Sequence, residues 1–259
     1  MTLRQTWQLY RAQIQFELVK LLRMRVYTAL LLVFPLFLYS LSAMNPRVPD
    51  IEGIPGNVHL IASFGTFGTF GVALFGFGVG LATERAQGWS TTQRLAPISP
   101  LLPLVARLVA CMLFTLMALA VLLIGAWLIV GVRLPLTTLA RLTLTMMLTS
   151  LPLCAVGLAI GSMVGANSAP IVLMMIYLVV SSISGIVVPL EMIARGNPGV
   201  LRIAPLWPPF HAGQLALATV RPAYPGTIPL HIIALVAFMV GFLVLALLAE
   251  RFRGAQRFG

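Results

Sequence analysis

The sequence has 259 residues, 59% of them hydrophobic and 9% charged, and its mean hydropathy is +1.00. Soluble globular chains carry roughly 25% charged residues, so a soluble fold is excluded and the length suits one membrane domain spanning 1–259. The formal charge of +11 arises from 17 basic and 6 acidic residues. The basic residues lie in flanks and loops between apolar runs, which fits lipid head groups and leaves no soluble domain to bind nucleic acid.

In chain order, residues 1–25 come first. Leu3, Trp7, Tyr10, Ile14, Leu18 and Leu21 recur at helical spacing, beside a polar stripe of Arg4, Gln8, Arg11 and Gln15. The pattern predicts a helix lying in the membrane interface; a helix packed on a soluble partner shows the same stripe. The first apolar run is too long for a signal-peptide h-region, and "SLSAM" reads as the end of a span.

A span needs about 20 apolar residues. Six segments qualify, near 26–44, 58–83, 104–131, 140–162, 169–189 and 228–249. Their apolar runs are continuous rather than alternating, which selects helices over a barrel. The expected fold class is therefore an all-α integral membrane protein with six transmembrane helices. Six spans put both termini on one side. That side carries Arg4, Arg11, Lys20, Arg23, Arg25, Arg85, Arg94, Arg107, Arg251, Arg253 and Arg257; the other carries Arg47, Arg133, Arg141, Arg195, Arg202 and Arg221. The excess of Lys and Arg places both termini in the cytoplasm, in a multi-pass protein of the inner or plasma membrane.

The second span interleaves Gly65, Gly68, Gly71, Gly76, Gly78 and Gly80 with Phe64, Phe67, Phe70, Phe75 and Phe77. Small residues let helix backbones approach closely in lipid. A dimer seam, a flexible wall of an apolar cavity, and packing within the chain all fit this pattern. The fifth span adds Met174, Met175, Ser181, Ser182 and Ser184, a mix of soft apolar and small polar groups suited to a cavity wall. Residues 190–227 hold six prolines, at 198, 205, 208, 209, 222 and 225, within a partly apolar stretch. They predict short re-entrant helices forming an outer lid, with Pro205, Trp207, Pro208, Phe210 and His211 at its centre; a surface loop with an interfacial Trp is the alternative.

Catalytic chemistry is hard to place. The acids Glu17, Asp50, Glu52, Glu84, Glu191 and Glu250 all avoid the middles of spans, and His59, His211 and His231 lie near the outer surface. No carboxylate pair, Ser/His/Asp set or metal cluster is expected at depth, so the chain reads as no enzyme, with no metal site. Cys111 and Cys154 fall inside apolar runs and read as buried small side chains. A P-loop needs a Lys after its second Gly, and the one lysine, Lys20, has no such run around it. ATP, if it powers this protein, binds elsewhere.

Between the second and third spans stands "ERAQGWSTTQRLAPISP", residues 84–100. Pro97 stops a local helix, and Ser99 and Pro100 suit the start of the next. The stretch predicts a short helix near 84–96 whose face holds Glu84, Gly88, Thr91 and Leu95, able to dock in a groove on a soluble partner. Glu84 and Arg94 offer charge-assisted contacts to that partner, or Glu84 pairs with an Arg of the N-terminal helix such as Arg23.

This segment resembles the cytoplasmic coupling segment of type-2 ATP-binding-cassette permeases, particularly the drug-export branch. Glu84, Arg85, Gly88, Arg94, Pro97, Ser99 and Pro100 match its acidic–Arg pair, following Gly, later Arg and Ser-Pro; Trp89 and Ala96 depart from it. The interfacial helix, six spans and Pro-rich lid extend the resemblance to nearly the whole chain. It implies a permease subunit paired with an identical or similar one, above two separate ATPase subunits that bind ATP and Mg. It also implies that residues 84–99, Thr91 included, carry ATPase closure to the spans, and that an apolar or amphipathic drug, lipid or glycoconjugate moves outward. A membrane scaffold, sensor or immunity subunit of the same fold without transport is the second reading.

Overall fold

The computed structural model describes residues 3–45, 50, 53–88, 101–221, 224 and 226–255. Its described residues form an all-helical bundle. The elements in order are α1 (Leu3–Arg23), α2 (Arg25–Ala43), α3 (Gly56–Ala86), α4 (Leu101–Val130), α5 (Leu136–Met163), α6 (Ala169–Ile183), α7 (Leu190–Gly196), α8 (Val200–Ile203), α9 (Pro208–Val220) and α10 (Ile228–Ala255). Five of them, α2, α3, α4, α5 and the Ile228–Ala249 part of α10, are long and apolar enough to cross a membrane. The run at 169–189 differs from expectation. Its helix α6 has 15 residues, about 22 Å at 1.5 Å each against a hydrocarbon core of about 30 Å. The left-handed Gly185 (φ +72°) follows its end, and Pro189 precedes the next helix.

The glycine-rich α3 is the central helix, with α2, α4, α5, α6 and α9 packed around it. Its apolar window is 94% buried, against 11% for α10, which lies outside on α5 and α9. Close backbone approach accounts for Gly78 of α3 and for Gly157 and Gly161 of α5. A Cβ on Gly157 of α5 would strike the Ala73 carbonyl, one on Gly161 the Gly78 carbonyl, and one on Gly78 would lie 2.8 Å from the Gly157 oxygen. Here α3 widens into π-helical turns over Val72–Val79, a local change often found at functional sites. Polar residues in α3 satisfy themselves locally: the Thr66 and Thr69 hydroxyls donate to the Ala62 and Gly65 carbonyls at 2.9 and 2.8 Å.

The elbow between α1 and α2 is tied by the Thr28 hydroxyl, which donates to the Leu21 carbonyl. α1 packs on α4 and α2. Leu21 of the apolar stripe is buried together with Glu17, while Trp7 of the same stripe is exposed. Cys111 and Cys154 are free thiols buried in the core.

Candidate functional site

Four charges converge where α1 meets the end of α3 and the start of α4. The Lys20 ammonium donates to both Glu17 and Glu84. The Arg107 guanidinium donates from Nε to Glu17 Oε1 at 3.1 Å and from a terminal nitrogen to Glu84. Each carboxylate therefore bridges both cations, closing a neutral ring. Glu17 is 1% exposed and Arg107 9%, a depth at which charges persist only when paired and hydrogen-bonded.

Local geometry builds the ring. Glu17 and Lys20, three residues apart on α1, are neighbours on its surface. Glu84 sits in the last turn of α3 and Arg107 in the second turn of α4. Glu84 does pair with the N-terminal helix, but through Lys20 and not Arg23, which is exposed, and with Arg107. Glu17 and Glu84 come together across 67 positions of sequence at the helix ends, not in the middle of a span, with their charge cancelled by two cations. Glu17, Lys20 and Arg107 escaped the sequence reading. The available signal was scarcity: Glu17, Glu84 and Glu250 are the acids set among eleven bases on that side.

Arg85 turns the other way, donating to the Gly161 carbonyl at 2.7 Å and so joining α3 to the end of α5. Helix α3 continues through Ala86, and Gly88 follows at φ +80°. That left-handed conformation suits glycine and closes the helix. A single helix from 84 to 96 is therefore not what forms: Glu84 and Arg85 belong to the span, and Gly88 marks its stop. Thr91, Arg94, Pro97 and Ser99 lie outside the described residues. What the structure does place are the two anchors of that segment, joined by the Glu84–Arg107 pair.

Along the middle of α3 the aromatic residues face inward. Tyr177 of α6 donates its hydroxyl to the Phe67 carbonyl at 3.0 Å, and its ring lies 4.5 Å from Phe67, 5.6 Å from Phe70 and 5.3 Å from Phe75. Phe64 meets Phe67 edge to face at 6.2 Å. Gly65, Gly68 and Gly71 face Met146, Pro35 and Tyr177, where an added Cβ would stand at 3.1, 3.0 and 3.0 Å. Within the single chain these side chains thus meet its own helices. An apolar cavity of about 370 Å³ brings Phe70 together with Met175, Val180, Trp207 and Pro208, joining residues expected of the cavity wall to residues expected of the lid. Ser181 is buried with no hydrogen-bond partner for its hydroxyl among the described residues, whereas Ser182 and Met174 face outward.

The segment expected to form a lid folds as α7, α8, a 3-10 turn at Ala204–Leu206 and α9. His211 of α9 holds it to α10: its Nε2 donates to the Pro205 carbonyl at 2.9 Å, and its Nδ1 lies 2.8 Å from His231 Nδ1. Tyr224 continues the chain, 3.0 Å from His231 Nε2 and 2.8 Å from Gln214. Phe210 stacks edge to face on both imidazoles. Burial pushes the His211 pKa below the usual histidine value, opposed by the Pro205 carbonyl, which favours the protonated ring.

The comparisons agree with this architecture. The family model described as "ABC-2 family transporter protein" matches residues 46–248. The protein named "Putative transport permease YvfS" of Bacillus subtilis (strain 168) is 24% identical over 233 residues, covering 89% of this chain and 92% of that one. The matched region takes in the glycine-rich central helix, Arg107 and α7 to α9, and on these grounds the chain belongs to the ABC-2 transporter family.

Proposed function

We propose that this chain is the membrane subunit of an exporter, with both termini and the 84–99 segment in the cytoplasm. A separate ATPase subunit, in two copies, binds ATP and Mg. A second permease, identical or similar, completes the membrane part. The cargo is an apolar or amphipathic molecule of the drug, lipid or glycoconjugate kind. The observation that carries this reading is the buried ring of Glu17, Lys20, Glu84 and Arg107. It ties the end of α3 and the first turns of α4, between which the 84–99 segment runs, to each other and to α1, so a push on that segment moves three helices together. Arg85 extends the push to α5 through Gly161, where α3 and α5 are in backbone contact. At the far end, α9 rests on the same α3 and α5, so their displacement bears on the lid, re-entrant in this reading, above the Phe70–Trp207 cavity.

Orientation decides whether an ATPase can reach the segment. Gln87 and Gly196 are exposed at opposite ends of the bundle, and a Cβ added at Gly196 meets nothing within 4 Å. With Cys111 and Cys154 replaced by Ala, an impermeant thiol reagent on intact cells should label Gly196→Cys at once. It should label Gln87→Cys only after permeabilisation. The reverse pattern would put the segment outside the cell and sink the proposal.

A further inference from the structure

We infer that the groove between α5 and α10 is a binding site for an anionic phospholipid, with the lipid phosphate on Arg141 and an acyl chain along the groove. This inference rests on the membrane-spanning arrangement and not on the transport reading. The groove encloses about 600 Å³, within the range of small-molecule sites. Leu144 and Leu148 of α5 form one wall, Ile232, Val236 and Met239 of α10 the other, and Leu215 of α9 contributes from the side. These walls are apolar and partly open to the bilayer: Leu144 and Ile232 remain about half exposed.

Depth identifies the occupant. α5 has 28 residues, about 42 Å of helix against about 30 Å of hydrocarbon, which leaves about 6 Å beyond the core at each end. Arg141 is five residues from its start, about 7.5 Å along the axis, and so stands at the border of head groups and hydrocarbon. Pro152, at the groove's far end, is eleven residues further, about 16 Å, the thickness of one leaflet. The α10 wall runs in the same direction over an equal length, from Ile228 to Met239. A groove one leaflet deep with a cation at its head-group end has the dimensions and polarity of a phospholipid.

Charge sets the selectivity. Arg141 is exposed and makes no ion pair or hydrogen bond with the described residues, and no carboxylate lines the groove. An acyl chain entering from lipid leaves one apolar medium for another, so its burial discriminates little among lipids. The planar guanidinium, which matches phosphate oxygens in pairs, does the discriminating. A net negative head group is favoured because no neighbouring ammonium competes for the phosphate.

The test is native mass spectrometry of the full-length chain, released from detergent containing equal dioleoyl phosphatidylglycerol and dioleoyl phosphatidylcholine. Wild type should retain phosphatidylglycerol in preference by about tenfold. Arg141→Gln should retain both lipids equally. Ala218→Phe, which fills the groove, should lose the retained lipid while its buried Cys111 and Cys154 stay unreactive, showing an intact fold. Equal retention by wild type, or an unchanged preference in Arg141→Gln, overturns the assignment. So does an Ala218→Phe variant that keeps its lipid but loses a dimer mass, since the groove would then seat a second copy.

Discussion

Replacing Arg107 with Met should be among the most destabilising single changes outside the α3–α5 contact, costing about 3–5 kcal/mol. The substitution keeps most of the side-chain volume and removes the charge. Glu17 and Glu84 would then share Lys20 alone, leaving a net negative charge in a region where Glu17 is fully buried. Removing a second charge should help rather than add to the damage. In Glu17→Gln with Arg107→Met, Lys20 and Glu84 remain as a neutral pair, and the double variant should be more stable than Arg107→Met itself. This non-additivity is the signature of one coupled network. Thermal exposure of Cys111 and Cys154 to a thiol reagent in detergent gives the readout. Additive losses would show that the four side chains act separately.

The second large effect concerns Gly161. A Cβ there meets the backbone of Gly78, not a side chain able to turn away. Gly161→Val therefore forces α3 and α5 apart and weakens the Arg85 contact to the Gly161 carbonyl. The cost should reach or exceed the roughly 1–3 kcal/mol typical of overpacking. Gly80→Ala on α3 is the internal control: its Cβ meets nothing within 4 Å, and a helical Gly to Ala change gains up to about 1 kcal/mol. The same thiol-exposure assay should show Gly161→Val unfolding well below wild type and Gly80→Ala at or above it. Equal behaviour of the two would mean that the α3–α5 contact is looser than described.

The spans were legible because hydrophobicity over some twenty residues is a local property, and four of the six expected segments fall within a few residues of the observed helices at both ends. The fifth was read too long, since Gly185 lies inside an apolar run where hydropathy does not register a left-handed turn. The glycines of α3 announced close packing, but not its partners, because Gly157 and Gly161 sit some eighty residues away on α5. The ring was hidden for the same reason. Lys20 and Glu84 are 64 positions apart, and Glu84 and Arg107 are 23. The apolar stripe of α1 marked an interfacial helix, and Trp7 is exposed as a lipid-facing residue would be; what the stripe did not register is that Glu17, beside it, is buried against Arg107.

Substrate-stimulated ATP hydrolysis and ATP-dependent efflux, in the complex of this chain with its ATPase reconstituted in vesicles, test the coupling role of the ring. Glu84→Gln keeps the shape and weakens the link between α1, α3 and α4. Lys20→Met with Glu84→Gln restores neutrality but not the link. Both should assemble with the ATPase and retain basal hydrolysis, and both should lose most of the substrate stimulation and efflux. Full stimulation and efflux in the two variants would contradict the account and reduce the ring to a structural tie.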